Sequence, residues 1–240
     1  SDDDSVTVAA GTYVENIKFR GKSIAVIGED KETTIVDGDG SGRVFNIRNV
    51  NSTTLLKNFT IQNGHVNDEG GGVFIRDCSP KIENCIIKNN VSNAWTGGLQ
   101  TSFGNPELVG LTIIHNTSGA GAGISLIASD ATITNCTIVN NNGIGLWITH
   151  GSTPLLKNSI ISNNSDGQLF FREGDDDPST LSVSYSNIQG GQDSIITNDN
   201  GTVNWGSGNI DVDPMFVDTT NGNYHLLASS QLINAGHPDL

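Results

Sequence analysis

The octet KNFTIQNG at residues 57–64 returns 26 residues later as ENCIIKNN at residues 83–90. Shorter copies follow at intervals of 26, 25, 23 and 27 residues: VGLTI at 109–113, TNCTI at 134–138, KNSII at 157–161 and SYSNI at 184–188. A second block follows each octet after a loop, as GVFIR at 72–76, GLQTS at 98–102, GISLI at 123–127, GLWIT at 145–149 and, more loosely, QLFFR at 168–172. Both blocks alternate with a period of two residues, which predicts short β-strands with one buried face.

Short strands that recur about every 25 residues leave no room for crossover helices between them. The arrangement that remains is a solenoid, in which successive coils stack into parallel sheets. The sequence therefore predicts an all-β parallel β-helix of about eight coils over residues 1–212, followed by a less regular capping segment of the same domain over residues 213–240. Isoleucine at one phase in five repeats predicts a buried column: Ile61, Ile87, Ile113, Ile138 and Ile161.

Charge and composition exclude several classes of partner. The net charge is −14, with only 12 Lys and Arg residues against 26 Asp and Glu, so nucleic acids and anionic membranes are unsuitable ligands. No apolar run exceeds four residues, which predicts no membrane-spanning helix. The three cysteines make no disulfide framework, and we expect free thiols because Cys85 and Cys136 lie two coils apart with Leu111 between them.

Asn58, Asn84, Asn135 and Asn158 share one phase, with Gly110 in the missing place. This column resembles the asparagine ladder at the tight second turn of right-handed parallel β-helices of the pectate lyase-like superfamily. VTVAAGTYVENI at residues 6–17 is similar to the first coil of such proteins. DVDPMFVD at 211–218, followed by NYHL at 223–226, is similar to the closing segment of bacterial cell-surface β-helix proteins. The resemblance implies a right-handed helix, an extracellular or cell-surface location, and a monomer or part of a larger surface protein.

In this superfamily the substrate lies along the outer face of the first sheet, which the second block of each repeat forms here. Alternation places Asn46, Arg48, Ile127 and Thr149 on that outward stripe, together with a predicted polysaccharide-binding set: Phe74, Arg76, Gln100, Ser102, Ser125, Trp147, Phe170 and Arg172. Outward aromatic rings suit sugar rings, although the preceding loops, which contain Trp95, offer an alternative by covering them. Three of the five arginines lie on the stripe and are suited to a uronate carboxylate; the alternative is ion pairing with Asp77 or Glu173.

Catalysis and metal binding are further hypotheses. A polysaccharide lyase needs a base and a cation on the substrate carboxylate, for which the candidates are His150 and Arg76. A glycosidase needs converging carboxylates, which the stripe lacks. The nearby acids Asp68, Glu69 and Asp77 predict a contact with Ca²⁺. Three functions remain open: a carbohydrate-binding β-helix, a lyase acting on a uronate-containing glycan, and a structural stalk or adhesin segment without a small ligand.

Overall fold

The computed structural model describes residues 2–174 and 176–238, so Ser1, Asp175, Asp239 and Leu240 of the predicted segments lie outside the described residues. Three long parallel sheets run along the chain's coils, and each coil contributes a strand to each sheet in turn. Neighbouring strands in a sheet are one coil apart in sequence, as in the pairing of Ile61 with Ile87 and of Ile87 with Ile113. The all-β parallel solenoid of about eight coils is therefore confirmed.

The strands of the three sheets follow one order around every coil. The first sheet contains Ile17–Lys18, Phe45–Arg48, Val73–Arg76, Leu99–Ser102, Thr117–Ile127, Asn142–Thr149 and Leu169–Phe171, with the short strands His65–Val66 and Val91–Ser92 at its margin. The second contains Ser5–Val8, Ala25–Gly28, Leu55–Lys57, Lys81–Glu83, Glu107–Val109, Thr132–Thr134, Leu155–Lys157, Ser179–Ser184 and Gly201–Trp205. The third contains Gly11–Val14, Thr34–Asp37, Thr60–Gln62, Ile86–Lys88, Thr112–Ile114, Thr137–Val139, Ile160–Ser162 and Asn187–Ile188.

The core is a set of side-chain columns that run along the axis of the solenoid. The five isoleucines of the predicted column are in register and have no exposed surface. Cys85, Leu111 and Cys136 form a neighbouring buried column, and all three cysteines are free. Burial raises the pKa of the Cys85 and Cys136 thiols to about 12, so both act as small apolar groups rather than nucleophiles.

Each coil turns at three corners, and in the middle coils a residue at each of these corners adopts a left-handed backbone conformation. Following the first sheet, these residues are Asn49, Asp77, Phe103, Ala128 and His150; following the second, Asn58, Asn84, Gly110, Asn135 and Asn158; following the third, Asn63, Asn89, His115, Asn140 and Asn163. Glycine and asparagine tolerate this conformation better than other residues. The asparagine content of the repeats is therefore largely a property of the corners.

The continuous asparagine ladder lies at a different corner from the predicted one. In the predicted column Asn84 Nδ2 donates to Asn58 Oδ1 at 2.8 Å and Asn58 Nδ2 donates to the backbone oxygen of Gly28, but Gly110 interrupts the stack of side chains and Asn135 is exposed. The buried ladder instead runs through Asn90, Asn116, Asn141 and Asn164, whose amides bond from coil to coil at 2.9–3.0 Å. The predicted ladder position was wrong because the left-handed residue at a corner points its side chain outwards, whereas the residue after it points inwards.

The segment after residue 212 packs against the side of the solenoid rather than across its end. Its antiparallel strands Phe216–Asp218 and Asn223–Leu226 lie beside the third sheet. Phe216 and Tyr224 cover an outward apolar cluster of Ile86, Ile114 and Val139. The segment predicted as a cap therefore protects a sheet face. The described helices are two 3-10 turns, Gln192–Ser194 and Thr219–Asn221, and no helix of residues 2–174 and 176–238 is long and apolar enough to cross a membrane.

Candidate functional site

The outer face of the first sheet carries the predicted stripe in the predicted register. Phe74 aligns with Asn46 and Gln100, and the same row continues through Ser125, Trp147 and Phe170. The neighbouring row aligns Arg48, Arg76, Ser102, Ile127 and Thr149. Alternation within each strand and the spacing of about 4.8 Å between parallel strands thus place these side chains on one surface.

Burial divides this surface into a closed part and an open part. Phe74 and Gln100 have no exposed surface, so the prediction that they contact a glycan is corrected. The Phe74 ring lies between the guanidinium groups of Arg43 and Arg48, at 4.5 and 4.6 Å. The Gln100 amide accepts from Thr96 and donates to Ser102. Both side chains are therefore covered rather than open to a ligand. For Phe74, this agrees with the alternative interpretation of the stripe, in which outward aromatic rings are covered.

Aromatic side chains line the open part. The half-buried Trp147 contacts Phe170, with ring centroids 5.3 Å apart, and contacts Trp95 edge-on at 6.4 Å. Trp95 comes from the loop before Leu99–Ser102 and is 44% exposed. The loop therefore covers one side of Trp147 but adds its own exposed indole to the surface.

The corner after the first sheet forms the opposite wall. Phe103 and His150 occupy equivalent left-handed corner positions in their coils, and Phe103 is 52% exposed. The Arg76 guanidinium lies 5.4 Å from the centre of the Phe103 ring, and that of Arg172 lies 5.5 Å from the centre of the Trp95 indole. Both guanidinium groups are thus held against aromatic faces.

Together these side chains enclose a pocket of about 310 Å³, here called the groove pocket. The predicted residues that line it are Glu69, Arg76, Ser102, Ser125, Trp147, His150 and Arg172. Phe170 supports Trp147 from the side. Trp95, Phe103 and Ala120 also line the pocket but were not among the predicted site residues. Trp95 lies in a loop and Phe103 at a corner, both outside the strand alternation, whereas Ala120 lies in the strand Thr117–Ile127 ahead of the repeated block at 123–127. For Phe103, the sequence signal was its position directly after the strand.

The two candidate catalytic residues face the same pocket. His150 is exposed, and its Nδ1 lies 2.9 Å from Thr149 Oγ1. Arg76 is half-buried and forms an ion pair with Asp77 at 3.4 Å. The predicted ion pair of Arg76 is therefore present, but it leaves the guanidinium beside the pocket.

The three acids of the predicted calcium contact do not come together in one cluster. Asp68 precedes the strand Val73–Arg76 and pairs with Arg43 at 2.8 Å, whereas Asp77 follows the same strand and pairs with Arg76. Ca²⁺ needs six to eight oxygens in one place. Among residues 2–174 and 176–238, no group of three or more His, Cys, Asp or Glu side chains is placed to hold a metal ion.

Comparison with known proteins agrees with this architecture. Residues 10–214 match the family model described as a right handed beta helix region. Among solved structures, the chain is similar to the crystal structure of pectate lyase Pel9A, with 14% sequence identity and a TM-score of 0.48 over 98% of this chain and 82% of that chain. No curated protein sequence matches the chain.

Proposed function

We propose that the chain, which belongs to the right-handed β-helix family, binds a polysaccharide in the groove pocket on the outer face of its first sheet. The observation that carries this proposal is the combination of exposed aromatic rings with two guanidinium groups around one depression. Ligand sites are typically concave and mainly apolar, with a few convergent polar groups. The location we propose is extracellular or at the cell surface, where such polymers occur.

The chemistry of the pocket favours an acidic glycan. Trp95, Trp147 and Phe103 offer aromatic surface to sugar rings. Arg76 and Arg172 offer planar donor groups that match a carboxylate, and Glu69 is the one acid among the described lining residues. Ser102 and Ser125 supply hydroxyl groups at the floor. An anionic chain therefore meets two guanidinium donor groups here, one of them paired with Asp77, despite the overall charge of −14.

The arrangement of coils also fits a polymer. Arg76, Ser102, Ser125 and Trp147 lie on strands of four successive coils, and Arg172 directly follows the strand of the fifth. At the parallel-strand spacing, these coils extend about 19 Å along the axis. A chain lying along the axis thus has several contact points rather than one.

A second candidate function is lyase activity, favoured by the placement of His150 in the same pocket as the two arginines. In this role a guanidinium group would neutralise a uronate carboxylate, which makes the adjacent C–H more acidic, and the imidazole would accept that proton. The neutral imidazole is the form required. The third candidate, a structural stalk, needs none of these groups.

One panel of neutral and acidic polysaccharides separates the three functions. Binding is measured by affinity electrophoresis, and lyase products by the ultraviolet absorbance of the unsaturated sugar. We expect retardation by an acidic glycan, at least a roughly tenfold weaker interaction for Arg76→Ala, and unchanged binding for the control Arg20→Ala, which lies at an exposed corner outside the groove pocket. Product formation that His150→Ala abolishes would assign lyase activity. Absence of binding across the panel would overturn the proposal and leave the stalk.

A further inference from the structure

A second cleft, separate from the groove pocket, lies where the C-terminal strands pack against the third sheet. It has a volume of about 850 Å³ and concentrates basic side chains. Its titratable lining groups are Lys31, Glu32, Lys88, His115, Tyr224 and His225. Four of these six are basic and one is acidic, in a protein of net charge −14. Such a local reversal of sign attracts anions.

The two lysines of this C-terminal cleft differ in their ion pairing from two other lysines on the solenoid. Neither Lys31 nor Lys88 forms an ion pair within residues 2–174 and 176–238, whereas Lys57 and Lys81 both pair with Glu83. Lys88 projects from the third sheet in register with Gln62 and Ile114, so it stands one coil from His115. His225 approaches from the C-terminal strand Asn223–Leu226. The basic side chains therefore come from both sides of the cleft.

The interrupted asparagine column supplies neutral hydrogen-bonding groups to the same cleft. Asn84 Nδ2 donates to Asn58, but the next position is Gly110, which has no side chain to continue the stack. Beyond it, Asn135 is exposed and its side-chain amide has no hydrogen bond among the described residues. Asn84, Gly110 and Asn135 all line the cleft. The side-chain oxygen of Asn84 and the side-chain amide of Asn135 thus lie on either side of a gap at Gly110, here called the open step. The gap spans two coil spacings, about 9.6 Å.

Tyr224 helps to hold the C-terminal segment in place beside these groups. Tyr224 Oη accepts a hydrogen bond from Asn140 at 2.9 Å and lies 3.0 Å from His115 Nε2. The Tyr224 ring also packs against Phe216. His115 is therefore positioned by the segment that closes the cleft, with its ring at the cleft surface.

We propose that this C-terminal cleft binds a hydroxylated ligand that carries an oxyanion, either a carboxylate or a phosphate, and that is long enough to cross the third sheet. Lys88, His115 and His225 contact the anionic group at one edge of this sheet. The open step at Gly110 receives hydroxyl groups at the other edge, about 13 Å away at the rise of an extended strand. A charge-assisted hydrogen bond is about twice as strong as a neutral one, so Lys88 contributes the largest single share. This site is independent of glycan binding in the groove pocket.

The test uses inorganic phosphate and monomeric glucuronate as separate probes, with the imidazole NMR signals of His115 and His225 as the readout. We expect saturable shifts with at least one probe, and a dissociation constant at least roughly tenfold higher for Lys88→Met, which keeps the aliphatic stem. Lys157→Met is the matched control, because this lysine lies on the second sheet outside the cleft. A response to phosphate alone identifies a phosphate ligand, and a response to glucuronate alone identifies a carboxylate.

The proposal is overturned if neither probe shifts the two histidines in a saturable way, or if Lys88→Met and Lys157→Met bind equally well. Thermal midpoints of the three proteins, compared by circular dichroism, show that the fold is intact. Arg76→Ala should bind both probes as the unchanged protein does, since Arg76 lies in the groove pocket. Failure here and failure of the glycan proposal are therefore distinguishable.

Discussion

Replacing Asn116 by alanine should destabilise the protein far more than the same change at Asn135. Asn116 lies in the buried ladder, where its side chain takes part in four hydrogen bonds. Its Oδ1 accepts from the backbone N–H and the amide of Asn90, and its Nδ2 donates to Ile87 O and Asn141 Oδ1. All of these groups are buried in the stack. The substitution removes one side-chain amide from the ladder and leaves a cavity beside Asn90 and Asn141.

The magnitude follows from what remains after the change. Asn90 Nδ2 still donates to Ile61 O, and Asn141 Oδ1 still accepts from the backbone N–H of Asn116. The backbone N–H of Asn90, in contrast, loses the side-chain oxygen that accepts its hydrogen bond. An unsatisfied buried donor costs about 1–3 kcal/mol, and each other lost bond about 0.5–1.5 kcal/mol. We expect a loss of about 3–5 kcal/mol in the free energy of unfolding for Asn116→Ala.

Asn135 provides the matched comparison. It is exposed, and its contribution is the tolerance of asparagine for a φ of 56° at the corner. Asn135→Ala should therefore cost about 1 kcal/mol, and Asn135→Gly should be close to neutral, as Gly110 in the preceding coil suggests. Urea unfolding followed by circular dichroism measures all three variants. Equal losses for Asn116→Ala and Asn135→Ala would refute the assignment of the ladder to the inner position.

Further predictions concern the core, the thiols and the acid limb of stability. Ile113→Ala, in the middle of the fully buried isoleucine column, should cost about 2–5 kcal/mol; an unchanged urea midpoint would show that the coil register is wrong. All three thiols should react with a thiol reagent after denaturation without reductant, whereas Cys85 and Cys136 should be unreactive in the native protein because burial raises each pKa to about 12. Hydrogen bonds from Lys57 and Lys81 hold the pKa of Glu83 below its ordinary 4.5. The stabilising contribution of Glu83 is therefore complete above pH 4.5 and is lost as the pH falls through the lowered folded-state pKa. Glu83→Gln should flatten this part of the plot of stability against pH, and an unaltered plot would contradict the role of the two lysines.

Much of the architecture was readable from the sequence because a solenoid repeats its physical environment. The recurrence of residues 57–64 at 83–90 places Ile61 and Ile87 at the same position of successive coils, and the structure pairs them directly. The register of Trp147 with Phe170 follows from the same logic. Period-two alternation then separates inward from outward side chains within a strand.

The corners and loops were less predictable because alternation stops where a strand ends. At the corner after the third sheet, His115 takes the left-handed position and the next residue, Asn116, belongs to the ladder. At other coils both positions are asparagine, as in Asn89 and Asn90, so residue type alone does not show which one points inwards. Likewise, Phe74 is buried against the guanidinium group of Arg43. Arg43 comes before the strand Phe45–Arg48 of the preceding coil, so the strand alternation does not place it.

The groove pocket is tested most directly by the variant Trp95→Ala. The quantity to measure is its affinity for the acidic polysaccharide that binds the unchanged protein most tightly. Trp95 is an exposed wall of the pocket, and its indole also supports the guanidinium of Arg172. Isothermal titration should show at least a roughly tenfold loss of affinity, with no loss for Val217→Ala, a comparably exposed apolar residue on the C-terminal strands. Equal affinities of Trp95→Ala and the unchanged protein, with both folded, would contradict a glycan site in the groove pocket.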